Sequence, residues 1–427
     1  MTALVGILNK RAAVIAADSA VTTTRGETKK INNTANKIFR LSNTHPVGVM
    51  IYGNSEYMGI PWEVLFKLYR DTGRDKPFNT LMEYVDDFLK FLRNETHCCD
   101  KEAQDDYLAS EISSFYYKMK EWCSDDYDEA ENNEDPRIAD KESLMKTLLE
   151  DNFKFIDTRS DEAGVCPDFE KYTLKNFIAD GKEVLDRLEN ICRDEKMPGT
   201  RKEWEEHFFR QMRSKLLLGR ETGLVFVGYG EQSIYPSLIP VNIAGYFNGK
   251  IRYYINQEDE EHITNENNAS ICPFAQTDIM ISLLKGIHPS MADNIFDKLS
   301  LALDKAKQKM LETLSSSGVA EATVEKMNAI DFDEIDEQFR NDVVNFIKTS
   351  FTDGVVDAVD SFNIFDMVKM AESLISITNL QRHFSSSEES VGGPVDVAVI
   401  TKSEGFVWVN RKQWYQHQMN PQMIERR

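Results

Sequence analysis

MTALVGILNKRAAVIAADSA, residues 1–20, holds two short apolar runs, 3–8 (ALVGIL) and 12–17 (AAVIAA), with the turn-forming Asn9-Lys10 between them. Unbroken apolar runs of this length fit strands covered on both faces. The runs begin at the second residue, so the N-terminus is expected to be built into the fold, with no leader ahead of it. If Leu8 faces Arg11 across a two-residue turn, Thr2 falls opposite Ala17, beside Asp18. A hydroxyl and a carboxylate then share one strand end.

Further strands are expected at 37–41 (KIFRL) and 47–52 (VGVMIY), at 223–229, 237–245 and 250–255, and in a closing hairpin of 394–400 and 405–409. Asn248-Gly249 is a hairpin-turn dipeptide. Between the strands, apolar residues recur at helical spacing. Ile60, Val64, Leu65 and Leu68 mark a helix from Glu56 to about Arg70, with Pro61 in its first turn or at a kink. Leu81, Val85, Phe88, Leu89 and Leu92 mark another over 79–94. Residues 95 to about 220 are rich in Asp, Glu and Lys with helical stripes, 274–350 are helical again, and Phe365 to about Leu380 forms an amphipathic helix. Strands and helices are segregated rather than alternating, which points to an α+β fold with antiparallel sheets covered by helices.

Composition narrows the function. At 427 residues and 41% hydrophobic, the chain can bury a sizeable core. Its 71 acidic residues exceed its 50 basic ones, a formal net charge of −21, which argues against binding nucleic acid or an anionic membrane. No apolar run approaches the about 20 residues of a membrane-spanning helix. The six cysteines show no C-x-x-C spacing, so free thiols in a cytoplasmic protein are expected. His97-Cys98-Cys99 has no second ligand pair at metal-site spacing, and no metal or organic cofactor is expected. His383 has no Ser or Cys elbow beside it and is expected to be structural. Trp62, Phe66 and Tyr69 are expected to pack in the core.

Thr2 has a chemical use at the chain end. Trimming of Met1 leaves it with a free α-amine, which titrates near about 7.7–8.0 and can serve as base to its own hydroxyl. A neighbouring ammonium would favour the alkoxide, and Lys37 opens the third expected strand. Gly53, after VMIY, can offer a backbone N–H to an oxyanion.

Thr2, the AADS around Asp18, the KIFRL behind Lys37 and the YGNS around Gly53 follow one another in the order found in proteasome β-type subunits and HslV-like bacterial peptidases. The tail is similar: a helix, then QRHFSSSEESVGGPVDVAVI. The chain resembles that family over about 1–92, 222–256 and 365–410. The resemblance implies an N-terminal-nucleophile (Ntn) hydrolase with a four-layer αββα sandwich. It makes 1–94, 222–273 and 360–427 the proteasome-like core, and 95–221 and 274–359 helical insertions without counterpart in the compact subunit. It implies Thr2 as nucleophile and base, Lys37 as the group tuning it, Asp18 as the orienter of Lys37, Gly53 N–H as oxyanion donor, and Ser390 as partner of the Thr2 amine. Val21, Ile51 and Ser55 would line a neutral pocket for the residue before the cut. The chain departs from the family in a longer loop between Asp18 and Lys37. It also lacks an in-register acid before the tail serine, where Glu388 and Glu389 are both offset, and has only Ser270 after the central sheet.

The expected activity is that of a threonine peptidase. The alternatives are an amidase or acylase on a small amide, and an inactive scaffold. Expected partners are a polypeptide or small amide substrate, and another copy or a protein bound through the insertions.

Overall fold

The computed structural model describes residues 2–25, 28–32, 34–72, 76–133, 135–187, 197–218, 221–317, 326, 330, 332–384 and 392–413, with backbone alone for 21–25 and 28–32. Helix outweighs strand, 56% to 20%, and the sheets are antiparallel, in keeping with the mixed class expected. The chain divides into two compact units. One comprises Met1–Ala35, Ile263–Val399 and Val407–Arg427, the other Asn36–His262 and Ile400–Phe406.

The first unit is built on the opening runs. They form β1 (Ala3–Asn9) and β2 (Ala13–Ala17), and every residue of both is buried. After them come a small hairpin of β3 (Val21–Arg25) and β4 (Thr28–Asn32), where only a loop was expected. In the second unit the chain continues through β5 (Ile38–Arg40), β6 (Val47–Gly53), β7 (Glu56–Tyr57), β8 (Ile60–Pro61), β9 (Thr222–Gly228), β10 (Ser237–Phe247), β11 (Lys250–Ile255) and β12 (Glu261–His262). It then forms β13 (Ala269–Ala275), β14 (Asp396–Thr401) and β15 (Gly405–Asn410).

The first unit's sheet has the order β13-β1-β2-β14-β15. Ala3, Val5 and Ile7 of β1 and Val14 and Ala16 of β2 pack with Met367, Val368, Ala371, Leu374 and Ile375 of the helix Ile364–Phe384. The turn between β1 and β2 is longer than the two residues expected. Asn9 N–H donates to Ala12 O at 3.0 Å, and Asn9 Oδ1 accepts from the N–H groups of Arg11 and Ala12. An Asn side chain that satisfies the turn's own donors stabilises this wider connection. The register is therefore Leu4 with Ala17 and Leu8 with Ala13, which corrects the pairing of Leu8 with Arg11 and of Thr2 with Ala17. Ala3 now lies level with Asp18.

β13 was not expected. It pairs along all of β1 at the sheet edge, and Pro273, which reads as a strand breaker, sits opposite Val5. Proline is tolerated on an edge strand because its missing N–H costs no ladder bond when it faces outward. Of the stretch 274–350 expected to be helical, Phe274 and Ala275 belong to β13, and the described helices are Asp278–Lys285, Pro289–Ser316 and Phe332–Ile347, with Asp353–Ser361 after them.

The second unit carries the sheet β11-β10-β9-β6-β5, with β12 paired to β10. Asn248 and Gly249 join β10 to β11 with φ of 45° and 78°, the positive pair a tight hairpin turn requires. Against this sheet pack the helices Trp62–Asp71 and Leu81–Asn94. The first starts later than expected: Pro61 is its N-cap, and the stretch before it forms the β7–β8 hairpin. Its buried residues are Trp62, Leu65, Phe66 and Tyr69, and Val64 points outward at 45% exposure, which corrects the stripe read through Val64. The second helix buries the expected Leu81, Val85, Phe88, Leu89 and Leu92, and the Thr80 side chain caps it by accepting from Glu83 N–H.

The acidic segment beyond residue 95 forms helices Lys101–Asn132, Lys141–Ala163, Leu174–Asp180 and Arg201–Arg213. They share a core of their own, centred on Phe115, Phe153, Trp204 and Phe208. Among the described residues, no helix is long and apolar enough to cross a membrane.

Candidate functional site

In the first unit, the corrected register brings Thr2 and Asp18 to the same strand end. Thr2 is 8% exposed, and its carbonyl accepts from Gln276 N–H at 3.0 Å, an extension of the β1–β13 ladder. Asp18 is fully buried. Its Oδ1 accepts from Ala3 N–H at 2.9 Å, the donor immediately after Thr2, while its own N–H donates to Ala3 O at 3.1 Å. Its Oδ2 accepts from Ala20 N–H at 3.1 Å and from Gly392 N–H at 3.2 Å. A carboxylate that collects three backbone donors is solvated by protein in place of water.

Ser19 completes the junction. Its N–H donates to Gly392 O at 3.1 Å and its hydroxyl to Pro394 O at 2.6 Å. The Gly-Gly turn of the tail is thus clamped to the strand end that carries Thr2. Ser19 was not singled out from the sequence. Its signal was its place directly after Asp18, but its partners lie far along the chain. Ser390, Glu388 and Glu389 lie outside the described residues, as does the side chain of Val21. Near the same tail, buried Asp396 pairs with the Lys412 ammonium and accepts from Lys412 N–H at 2.8 Å, a pairing the sequence did not suggest. Ser270 lies in β13, opposite Leu8, at the far end from Thr2.

In the second unit, Lys37 is 3% exposed and directly precedes β5. Its carbonyl accepts from Ile51 N–H at 2.9 Å, extending the pairing of Ile38 with Met50. A buried ammonium is tolerated only with acceptors around it.

Gly53 closes β6 with φ +80°, and a Cβ there would stand 2.4 Å from Glu221 O. Only glycine fits that position. The turn beyond it is pinned by Asn54 N–H to Glu221 O at 3.1 Å and by Thr222, whose hydroxyl donates to Asn54 O at 2.8 Å and accepts from Trp62 Nε1–H at 3.0 Å. Tyr52, just before Gly53, lies over Gly223, where a Cβ would be 2.0 Å from the ring. Burial, with smaller contributions from Tyr254, Asp259 and Glu221, keeps the Tyr52 hydroxyl protonated well above its ordinary range.

Ile51 packs into the aromatic core of this unit at 6% exposure, whereas Ser55 is exposed and uses its carbonyl to accept from Trp62 N–H.

Among the described residues, no three His, Cys, Asp or Glu side chains come together to hold a metal ion, and exposed His97 stands beside buried Cys98. Neither a protein-family model nor a curated protein matches the chain.

Proposed function

We propose that this chain is an Ntn-type hydrolase of the proteasome-like kind, a threonine peptidase with two facing sheets sandwiched between helices. Thr2 Oγ attacks the scissile carbonyl carbon as its proton passes to the Thr2 α-amine, which then delivers it to the departing nitrogen. The acyl group is left as an ester on Oγ. Water, deprotonated by the same amine, attacks the ester carbon, and Oγ leaves with the proton. In this reaction Lys37 supports the developing alkoxide, Asp18 holds Lys37 charged, and Gly53 N–H receives the oxyanion.

The observation that carries the reading is the hold on Asp18. Its buried carboxylate binds the N–H directly after Thr2, the N–H of Ala20 two residues on, and that of Gly392 in the tail, so three segments of the family pattern meet at one residue. A strand end fixed this firmly is what a nucleophile in a preorganised site requires.

The reaction demands that Thr2 carry a free α-amine, and that demand sets the experiment. The intact mass of the purified protein is measured, followed by labelling with a peptide epoxyketone, which reacts with hydroxyl and amine together. The expected result is a chain starting at Thr2, labelled on Thr2 and unlabelled in the Lys37→Ala variant. A blocked or extended terminus, or labelling that survives Thr2→Ala, overturns the proposal.

A further inference from the structure

In the first unit, the helices Pro289–Ser316 and Phe332–Ile347 contain no buried residue. They meet along one seam, which is largely polar. Ser300 Oγ donates to Asp336 Oδ2 at 2.9 Å, Arg340 Nε donates to the same oxygen at 2.8 Å, and the Arg340 guanidinium lies over the Phe296 ring, 4.9 Å from its centroid. Farther along, the Lys307 ammonium stands over the Phe332 ring and donates to Ile330 O at 3.1 Å. Residue numbers rise along one helix as they fall along the other, so the two run antiparallel. A helix in a protein draws most of its stability from packing an amphipathic face. Partly exposed ion pairs replace little of that.

Both helices have such a face. Ile295, Leu299, Ala302, Ala306 and Met310 form one apolar stripe along the first, each three or four residues from the next. Ile335, Phe339 and Phe346 form another along the second, with Asp342 at its edge. At about 100° per residue, each stripe lies roughly a quarter turn from the seam in the same rotational sense. Because the helices are antiparallel, the two stripes share one side of the pair. Ile295, Met310, Ile335, Phe339 and Phe346 are between 40% and 61% exposed. The other side of the pair carries Asp297, Asp304, Asp333 and Glu337, with Val344 among them.

We infer that a second copy of this chain covers the apolar side, the two helix pairs closing face to face into a four-helix bundle. At their exposures the five large side chains present about 500 Å2 of apolar surface, a patch of the size that marks an interaction site. Two copies together bury about 1,000 Å2 from these residues alone, which reaches the area a specific association needs before its polar rim is counted. Symmetry and charge select the occupant. With an apolar stripe on each helix, a twofold axis through the face lays stripe on stripe, so the surface is complementary to itself. Asp297, Asp304, Asp333 and Glu337 are turned away from the contact, which keeps their like charges from meeting across it. This inference uses only helices of the first unit and does not depend on the hydrolase reading.

Gel filtration of the full chain with light scattering, at about 10 μM, tests it. The expected mass is twice the 49.0 kDa of one chain. Phe339→Glu combined with Phe346→Glu puts charge in the middle of the face at two exposed positions. It is expected to give the mass of a single chain with the far-UV circular dichroism unchanged. Should that variant lose helix, the single exposed substitution Ile335→Lys is read in its place, with association expected to weaken at least about tenfold. Val344→Glu, on the other side of the pair, is expected to keep the doubled mass. A single-chain mass for the unaltered protein, a mass unchanged by the substitutions in the stripe, or dissociation by Val344→Glu overturns the inference. A single-chain mass together with flotation on phosphatidylcholine vesicles also overturns it, and gives the face to a lipid surface.

Discussion

A carboxylate with no exposed surface has only its neighbours to solvate it, and Asp18 accepts from the N–H groups of Ala3, Ala20 and Gly392. Asparagine has the same shape and a single acceptor atom. In Asp18→Asn the Nδ2 group must face either Ala3 N–H or the pair from Ala20 and Gly392, donor against donor. The expected loss is about 1–3 kcal/mol of folding stability, read as a lower urea midpoint with an unchanged slope. If the midpoint holds, these bonds carry little of the junction's stability. In the sequence, Asp18 was visible as the polar residue that ends an apolar run. Its tie to Gly392 was not, because nothing local records a bond across the length of the chain. Gly53 shows the same division. A glycine at the end of a strand is easily noticed, but the need for it comes from the Glu221 carbonyl just ahead of β9.

Among the elements, the helix Leu81–Asn94 shows most directly how packing fixes position. Phe88 lies within ring-contact range of Trp62, Phe66, Tyr69, Phe91 and Phe226, so it joins both helices to β9. Phe88→Ala removes this hub. The expected cost is about 3–5 kcal/mol, the range for deleting a large buried ring, seen as a lowered thermal midpoint. A loss below about 1 kcal/mol would mean that the rings close over the gap. This helix was legible because its apolar residues keep one phase over four turns and Thr80 stands ready as a cap. In the preceding helix one position of the aliphatic stripe was misplaced. Val64 looked like a core residue, yet the aromatic Trp62, Phe66 and Tyr69 form the buried face. Large rings outweigh one valine in choosing which face turns inward. β13 escaped notice because Pro273 breaks a strand in most settings, and only its edge position makes it harmless. The β1–β2 turn was misjudged because the Asn9 side chain supports two more residues than the shortest hairpin uses.

At the scale of the whole chain, charge and thiols set how the protein responds to pH. The five cysteines described form no disulfide with one another, and three of them are strongly perturbed by burial. The Cys98 thiol, beneath the aromatic core, is pushed from its ordinary 9.0 up to about 12, with Cys99 and Glu95 adding to the effect of burial. Cys123 and Cys166, in the core of the helical segment, are pushed up to about 11, again chiefly by burial. Below pH 9 these thiols are neutral whether the chain is folded or not, so they leave stability unchanged. Above it the unfolded chain gives up these protons and the folded chain keeps them, so the unfolded state gains. The loss grows from about pH 9 toward 12, where the folded thiols ionise as well. A chain with 21 more acidic than basic residues adds self-repulsion in the same direction as its remaining cations discharge. Urea unfolding across this range is expected to show a midpoint that falls steadily above pH 9. Iodoacetamide at pH 8, read by peptide mass, is expected to leave Cys98, Cys123 and Cys166 unmodified in the native protein and to alkylate all three in urea. Rapid native alkylation of Cys98 would mean that its core opens at low cost, since neither access nor thiolate is otherwise at hand.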